Sequence, residues 1–315
     1  MANIYIARQY DTAAVGIAWK IISAMFFTAM LTVVKLIGDR IPVGELLFAR
    51  NFFGLIPVMA VVAFTGGLGA ALKTTNVSGH VKRAVAGMLA MGLWFSALQY
   101  LSFPEATAII YAAPLVMVVF AATLLGENVR IYRWSAVGVG FVGVVIILTP
   151  QLSSGFDIVN DAAAFGALLA LGSAFFMALT TVFVRQLAQT DSTITVVLYF
   201  MIAGSFVTFL SAPTWVVPSW NDAFALVMIG VLGGVGQLCL TQAFHYAEAS
   251  LIAPFEYTSM IWVVGVGYFV FAEVPSTAVL LGAAIVIGSG IFVIFRERQL
   301  GLSREERKVG APLRP

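Results

Sequence analysis

Charge is what this chain most lacks. Only 10% of its 315 residues are Asp, Glu, Lys or Arg and 61% are hydrophobic, whereas roughly a quarter of a soluble domain is charged. Mean hydropathy is +0.99. Those values exclude the soluble classes. Cysteine is nearly absent: Cys239 stands alone inside an apolar run, which leaves neither a disulfide framework nor a cysteine metal site. Histidine occurs twice, at His80 and His245; His245 lies three residues from Glu248, and two ligands do not make a zinc site. No His-supported Ser or Cys nucleophile and no close pair of acids stands in the apolar segments. The expectation is therefore a protein that is not an enzyme, with no catalytic residues, no metal and no cofactor. A net charge of +2, spread over segment ends instead of gathered in a patch, excludes nucleic acid as a partner. Residues 1–12 lack a short apolar region with a small-residue cleavage site, so no cleaved signal peptide is expected.

What the chain does have is ten long apolar runs. With no water in a bilayer core, a single segment can cross only as a helix that satisfies its own backbone, which takes about 20 apolar residues. The spans read as 13–37, 44–65, 84–103, 106–125, 131–149, 162–184, 192–211, 223–244, 250–271 and 275–295. The predicted fold class is thus all-α integral membrane, ten transmembrane helices, with the lipid bilayer as obligate partner. Positive loops stay in the cytoplasm. One face collects Arg8, Lys20, Lys73, Lys82, Arg83, Arg130, Arg133, Arg185, Arg296, Arg298, Arg304, Arg307, Lys308 and Arg314; the other has Lys35 and Arg40, with Arg50 inside the second span. Both termini are expected in the cytoplasm of a bacterial inner membrane. The Asn76-Val77-Ser78 sequon then falls in a cytoplasmic loop and reads as chance.

The chain also repeats itself. Pro104-Glu105-Ala106-Thr107, Pro114 and Leu125-Gly126-Glu127 are followed by a Gly-rich span; Ala247-Glu248-Ala249-Ser250, Pro254 and Phe271-Ala272-Glu273 are followed by another. Five spans per copy is an odd number, so the second copy enters the membrane upside down. The expected organisation is a cytoplasmic N-terminus 1–12, a first five-helix repeat 13–149, a periplasmic linker 150–161, a second five-helix repeat 162–295 and a cytoplasmic tail 296–315. Inverted repeats provide two near-equivalent conformations, one open to each face, which is the requirement for alternating access.

The paired Glu-Ala-Thr and Glu-Ala-Ser turns, Ala112-Ala113-Pro114, Ala253-Pro254-Phe255-Glu256-Tyr257 and the Gly126-Glu127 and Ala272-Glu273 endings resemble the EamA repeat of the drug/metabolite transporter superfamily. Val34-Lys35, Pro42-Val43-Gly44-Glu45 and Phe48-Ala49-Arg50-Asn51 are similar to that family too, whereas Ala272 departs from the Gly usual at its position. The resemblance spans nearly the whole chain. It implies a secondary active transporter of a small organic metabolite (vitamin, nucleoside-like or amino-acid-like), with a central cavity lined mainly by the third, fourth, eighth and ninth helices. The Ala-Pro-Phe-Glu-Tyr stretch looks most like bacterial members assigned to riboflavin or S-adenosylmethionine uptake. A passive channel and an integral-membrane enzyme are the alternatives. A proton or a counter-substrate would supply coupling, and the protein would be a monomer or homodimer.

Within the spans, polar residues are the substrate-binding candidates. Glu256 lies roughly 10 Å below the cytoplasmic surface by helical rise, where an ionised carboxylate must be paired, protonated or facing a wet cavity; the alternative is an interhelical hydrogen bond. Ser259 and Val263 continue its face and Tyr257 flanks it. Arg50, beside Asn51, either clamps an anionic group with its planar fork or snorkels outward and pairs with Glu45. Lys35 and Lys20 stand nearer span ends and read as snorkelling. Ser96 with Gln99, and Gln237 with Thr241, share helix faces, as ligand contacts or as helix-to-helix hydrogen bonds. Trp94 and Tyr111, with Phe95 and Tyr100, would suit a flat aromatic cargo; Arg50 and Glu256 together would suit a zwitterionic one. Trp215 and Trp220 read as interfacial belt. Gly138-Val139-Gly140-Phe141-Val142-Gly143 matches the dinucleotide fingerprint by letter, but inside an apolar helix it has no strand before it and presents no free N–H groups. Its small residues, like Gly230, Gly233, Gly234 and Gly236, let helices approach.

Overall fold

In a computed structural model of the chain, all residues are described except 1, 66, 125–128, 130, 151–160, 188–189, 247–252 and 310–315; side chains of 2–13, 65, 70, 121, 185, 193, 241, 244–245, 253–254, 256, 294, 297–298 and 300–309 also fall outside the described set. Glu127, Glu248 and the 150–161 linker except Pro150 and Asp161 therefore lie outside it. Among the described residues every regular element is helical. The order is α1 (Ala2–Ile37), α2 (Val43–Phe52), α3 (Leu55–Thr65), the single turn α4 (Leu68–Ala71), α5 (Val77–Ala97), α6 (Phe103–Ile110), α7 (Ala113–Thr123), α8 (Ile131–Ile147), α9 (Ala162–Leu187), α10 (Thr193–Phe209), α11 (Trp220–Tyr246), α12 (Ser259–Phe271) and α13 (Thr277–Val309), with 3₁₀ turns at Ala212–Thr214 and Ala253–Thr258.

Local chemistry sets several of these boundaries. Asn76 ends the connection before α5 as its cap, its side chain accepting the Gly79 N–H at 2.9 Å, so the helix starts seven residues before the expected 84 and takes Arg83 inside. Ser102 and Glu105 form a reciprocal capping box at the start of α6. Pro114 has no N–H to continue the ladder, and the chain is interrupted between α6 and α7. Ala272 ends α12 in the left-handed region, φ 54°, a conformation costing a non-glycine residue roughly 1–2 kcal/mol. That is the physical reason a glycine would be expected there.

Five segments are long and apolar enough to cross a membrane: 14–37, 43–64, 103–120, 162–184 and 220–240; four shorter apolar helices cover 131–147, 194–209, 259–271 and 277–293. Phe64, Phe206, Ile261 and Phe269 are all at least 70% exposed, which water penalises and lipid tails do not. The helix pairings include α1 with α11, α5 with α9, α8 with α13, α2 with both α10 and α11, α9 with α6 and α7, and α6 with α12. Glycine permits two of the closest approaches: Gly143 of α8 lies on Gly282 of α13, and Gly230 and Gly234 of α11 lie on the backbone around Gly54, where α2 gives way to α3. Between the helices runs a continuous buried cluster that includes Leu47, Phe95, Phe103, Ile109, Tyr111, Met260 and Val263.

Candidate functional site

Two interrupted helices meet in that cluster. Tyr111 follows α6 at the break before Pro114, and Ser259 opens α12 after the 3₁₀ turn; their hydroxyls are 2.7 Å apart. Tyr257, in the same turn, meets the Tyr111 ring edge to face at 5.2 Å, and its hydroxyl lies against Gly290, where any side chain would collide. Interrupted helices of this kind are tolerated at membrane depth only where protein or a cavity receives the freed backbone. Tyr111, Ser259 and Tyr257 are thus brought together. Thr107, one turn before Tyr111, is buried with its hydroxyl unpartnered. Glu256 has its backbone in the turn beside Tyr257, and its side chain lies outside the described residues.

A second cluster forms between α2, α5 and α10. Arg50 is 3% exposed and Arg83 5%, and both guanidinium carbons stand over the Phe200 ring, at 5.3 and 3.7 Å. Arg50 donates to the Asn51 Oδ1 at 3.0 Å, and Asn51 donates to the Leu47 carbonyl. Arg50 Nε and Arg83 Nε and Nη1 are buried with no acceptor. Contrary to the snorkelling alternative, Arg50 stays inside, and Glu45 instead accepts the Val216 N–H at 3.2 Å. Among the described residues no carboxylate pairs with either arginine. A desolvated cation over an aromatic face gains about 2 kcal/mol, whereas burying an ion costs several. Phe200 alone does not balance two.

Other candidates lie elsewhere. Lys35 does not snorkel: its ammonium pairs with Glu273 at 2.9 Å and donates to the Leu101 and Leu98 carbonyls, while Glu273 also accepts the Phe103 N–H at 2.8 Å. Exposed Gln99 joins this end by donating to the Gly38 carbonyl at 2.8 Å. Ser96 and Gln237 are half-buried; Trp94 Nε1 is buried without an acceptor; the Thr241 side chain is outside the described set. Lys20 is also buried, against the snorkelling expectation. Trp215 packs on Phe48 and donates to Ser211, while Trp220 is 93% exposed.

Arg83, Phe200 and Glu273 were not legible as partners in the sequence. The available signal was the stripe His80, Arg83, Gly87, which falls at helical spacing once Asn76 is recognised as a cap. His80 opens a further network: its Nε2–H donates to Asp191 at 2.6 Å, Thr74 donates to the same oxygen at 2.6 Å, and Tyr199 stacks on the imidazole. Donation by Thr74 and then His80 holds the Asp191 carboxyl below the usual carboxylate value. A depressed folded value means the network stabilises the fold above the unfolded value of about 4 and loses that contribution as pH falls through the folded one. Melting temperature is expected to drop between pH 5 and 3 more steeply in the wild type than in Asp191→Asn; equal slopes would remove the assignment.

The whole chain bears comparison with known proteins. Residues 14–149 and 164–296 match the EamA-like transporter family, and the chain belongs to it; with its apolar helices this makes it a multi-pass membrane protein of a transporter family. Relatives include an S-adenosylmethionine uptake transporter of Rickettsia bellii, 29% identical over 91% of this chain and 96% of that one. A riboflavin transporter of Vibrio cholerae is 27% identical over 93% and 97%, and the pseudopaline exporter CntI of Pseudomonas aeruginosa 26% over 88% and 95%. A protein of known crystal structure, 21% identical, shares the fold with a TM-score of 0.62 over 92% of this chain and 99% of that one.

Proposed function

We propose that the chain is a secondary carrier of a small organic metabolite, working by alternating access of two inverted five-helix halves, 13–149 and 162–295, in a bacterial inner membrane with both termini cytoplasmic. One observation carries it: a set of pairings between the halves survives their exchange. The first span of each half (α1, α9) packs on the third of the other (α11, α5), while second pairs with second (α2, α10), fourth with fourth (α6, α12) and fifth with fifth (α8, α13). A two-fold axis in the membrane plane produces that pattern, and substrate sites in such proteins lie at the repeat interface. The Tyr111–Ser259 contact joins the two fourth spans. The double family match supports the repeat, and relatives named for S-adenosylmethionine, riboflavin and pseudopaline support a metabolite cargo.

Purified protein in liposomes preloaded with unlabelled S-adenosylmethionine or riboflavin should accumulate the labelled compound transiently, a counterflow that a passive pore cannot produce. Entry of label only up to equilibrium, with no overshoot for any metabolite tried, would defeat the carrier. Glu256 is assigned to proton coupling: Glu256→Gln should insert normally yet make uptake indifferent to an imposed pH gradient, and an unaltered response would remove that role.

A further inference from the structure

We propose that Arg50 and Arg83, gathered over the Phe200 ring, form a binding site for an oxyanion group, carboxylate or phosphate, carried by the transported metabolite; this rests on the carrier proposal above. The unmet buried atoms here are all donors: Arg50 Nε, Arg83 Nε and Arg83 Nη1. Among the described residues the side-chain acceptor here is the Asn51 amide oxygen, which takes one hydrogen from Arg50. Two like charges stand over one ring, with no carboxylate paired to either among the described residues. A protein that only needed packing at these positions would be more stable with apolar side chains of similar volume. What a pair of guanidinium forks suits is a group with two or more oxygens sharing negative charge, since each fork can offer parallel N–H bonds.

The surroundings hold the two forks in place. Gly87 of α5 leaves room for Phe200, because a Cβ at that position would lie 2.6 Å from the ring, and Gly204 of α10 does the same for Asn51, at 2.8 Å. The ring is therefore confined between α5 and α10 as a platform under both cations. Arg83 enters from seven residues inside α5 and Arg50 from eight residues inside α2, so the two reach Phe200 from separate helices. Trp94, eleven residues after Arg83 and hence on the same face of α5, presents another buried donor without an acceptor, Nε1. The donors thus extend along one face toward the other end of α5. Both arginines are covered in this state, and an oxyanion reaches them when α2, α5 and α10 part at one end, the movement a carrier already requires.

Thermal unfolding of the full chain, delipidated in a non-ionic maltoside detergent, tests the site. Sodium acetate and sodium phosphate are titrated separately at constant ionic strength against sodium chloride. At least one should raise the melting temperature saturably by several degrees, acetate marking a carboxylate site and phosphate a phosphate site. Arg83→Met should melt at or above the wild-type temperature without added anion, because an uncompensated charge has gone, and should need at least tenfold more anion for half its effect. Arg83→Lys keeps the charge but not the fork; it should retain a weakened response and carries the test if the Met variant does not fold. A wild type indifferent to both anions, or an Arg83→Met that melts lower and responds as before, overturns the proposal. So does stabilisation by phosphatidylglycerol alone, which would assign the arginines to a lipid headgroup. Counterflow with no anion response defeats this site and leaves the carrier; an anion response without counterflow does the reverse.

Discussion

Replacing Gly234 with leucine is expected to deplete the folded protein. A Cβ at that position would lie 2.6 Å from the Gly54 carbonyl oxygen and 2.6 Å from Pro57 Cγ, and a carbonyl oxygen cannot rotate aside as the end of a side chain can. One turn earlier, a Cβ at Gly230 would meet the Ala49 carbonyl oxygen at 2.6 Å and the Gly54 nitrogen at 2.9 Å. Helix α11 cannot retreat either, because α1 packs along it and Ser23 donates to the Gly236 carbonyl at 2.8 Å. Overpacking a well-filled interior costs about 1–3 kcal/mol, and with both sides backbone the upper end applies, against a total margin of about 5–15. Gly138 of α8 is the control: nothing lies within 4 Å of its would-be Cβ, so Gly138→Leu should keep or raise stability, by up to about 1 kcal/mol from helix propensity. Monodisperse yield and melting temperature in detergent report both. A Gly234→Leu protein that solubilises and melts like the wild type would refute the close approach of α11 to Gly54.

That contrast shows where sequence reading stops. Gly138 and Gly234 look alike in the sequence, each in a glycine-rich apolar run, and only the helix pairing decides that one faces open space and the other a backbone. Apolar runs themselves read well, because bilayer thickness imposes their length: α9 occupies Ala162–Leu187 where 162–184 was expected. Helix starts read less well. Lys82-Arg83 looked like a cytoplasmic end because charge usually marks one, yet Asn76 caps α5 earlier and turns Arg83 inward. Arg50 and Glu256 were legible as candidates since any charge at depth stands out. Arg83 and Phe200 were not, since their meaning comes from helices more than 100 residues apart in sequence. Tyr111 and Ser259 were flagged for separate reasons, and their hydrogen bond across 148 residues was not foreseeable from either.

Breaking the Lys35–Glu273 pair is expected to unlatch one end of the protein. Four segments converge there: the end of α1 through Lys35, the turn after α5 through the Leu98 and Leu101 carbonyls, the start of α6 through the Phe103 N–H, and the left-handed exit of α12 that delivers Glu273. Glu273 joins two of them at once, one oxygen on the ammonium at 2.9 Å and the other on the backbone N–H at 2.8 Å. The side chains are only 13% and 20% exposed, so solvent screening is weaker than for a surface pair. Charge-assisted hydrogen bonds of this kind contribute about 1.5–3 kcal/mol, and each 1.4 kcal/mol is roughly a tenfold change in population. In the proposed orientation this end faces outward, and a carrier closed here must open it to exchange cargo. With Cys239 replaced by serine and a single cysteine placed at Ser259, a membrane-impermeant maleimide added outside should label Lys35→Met at least tenfold faster than the parent. Removing Lys35 strips away both the ion pair and the two carbonyl contacts and leaves the carboxylate on its backbone partner, so the gain measures the links that Lys35 makes from α1 to α12 and to the turn after α5. Equal labelling rates would mean that the ion pair does not hold this end shut, and the outward gate would then have to be sought in the apolar contacts of Phe103 with Phe271, whose rings meet edge to face at 6.4 Å.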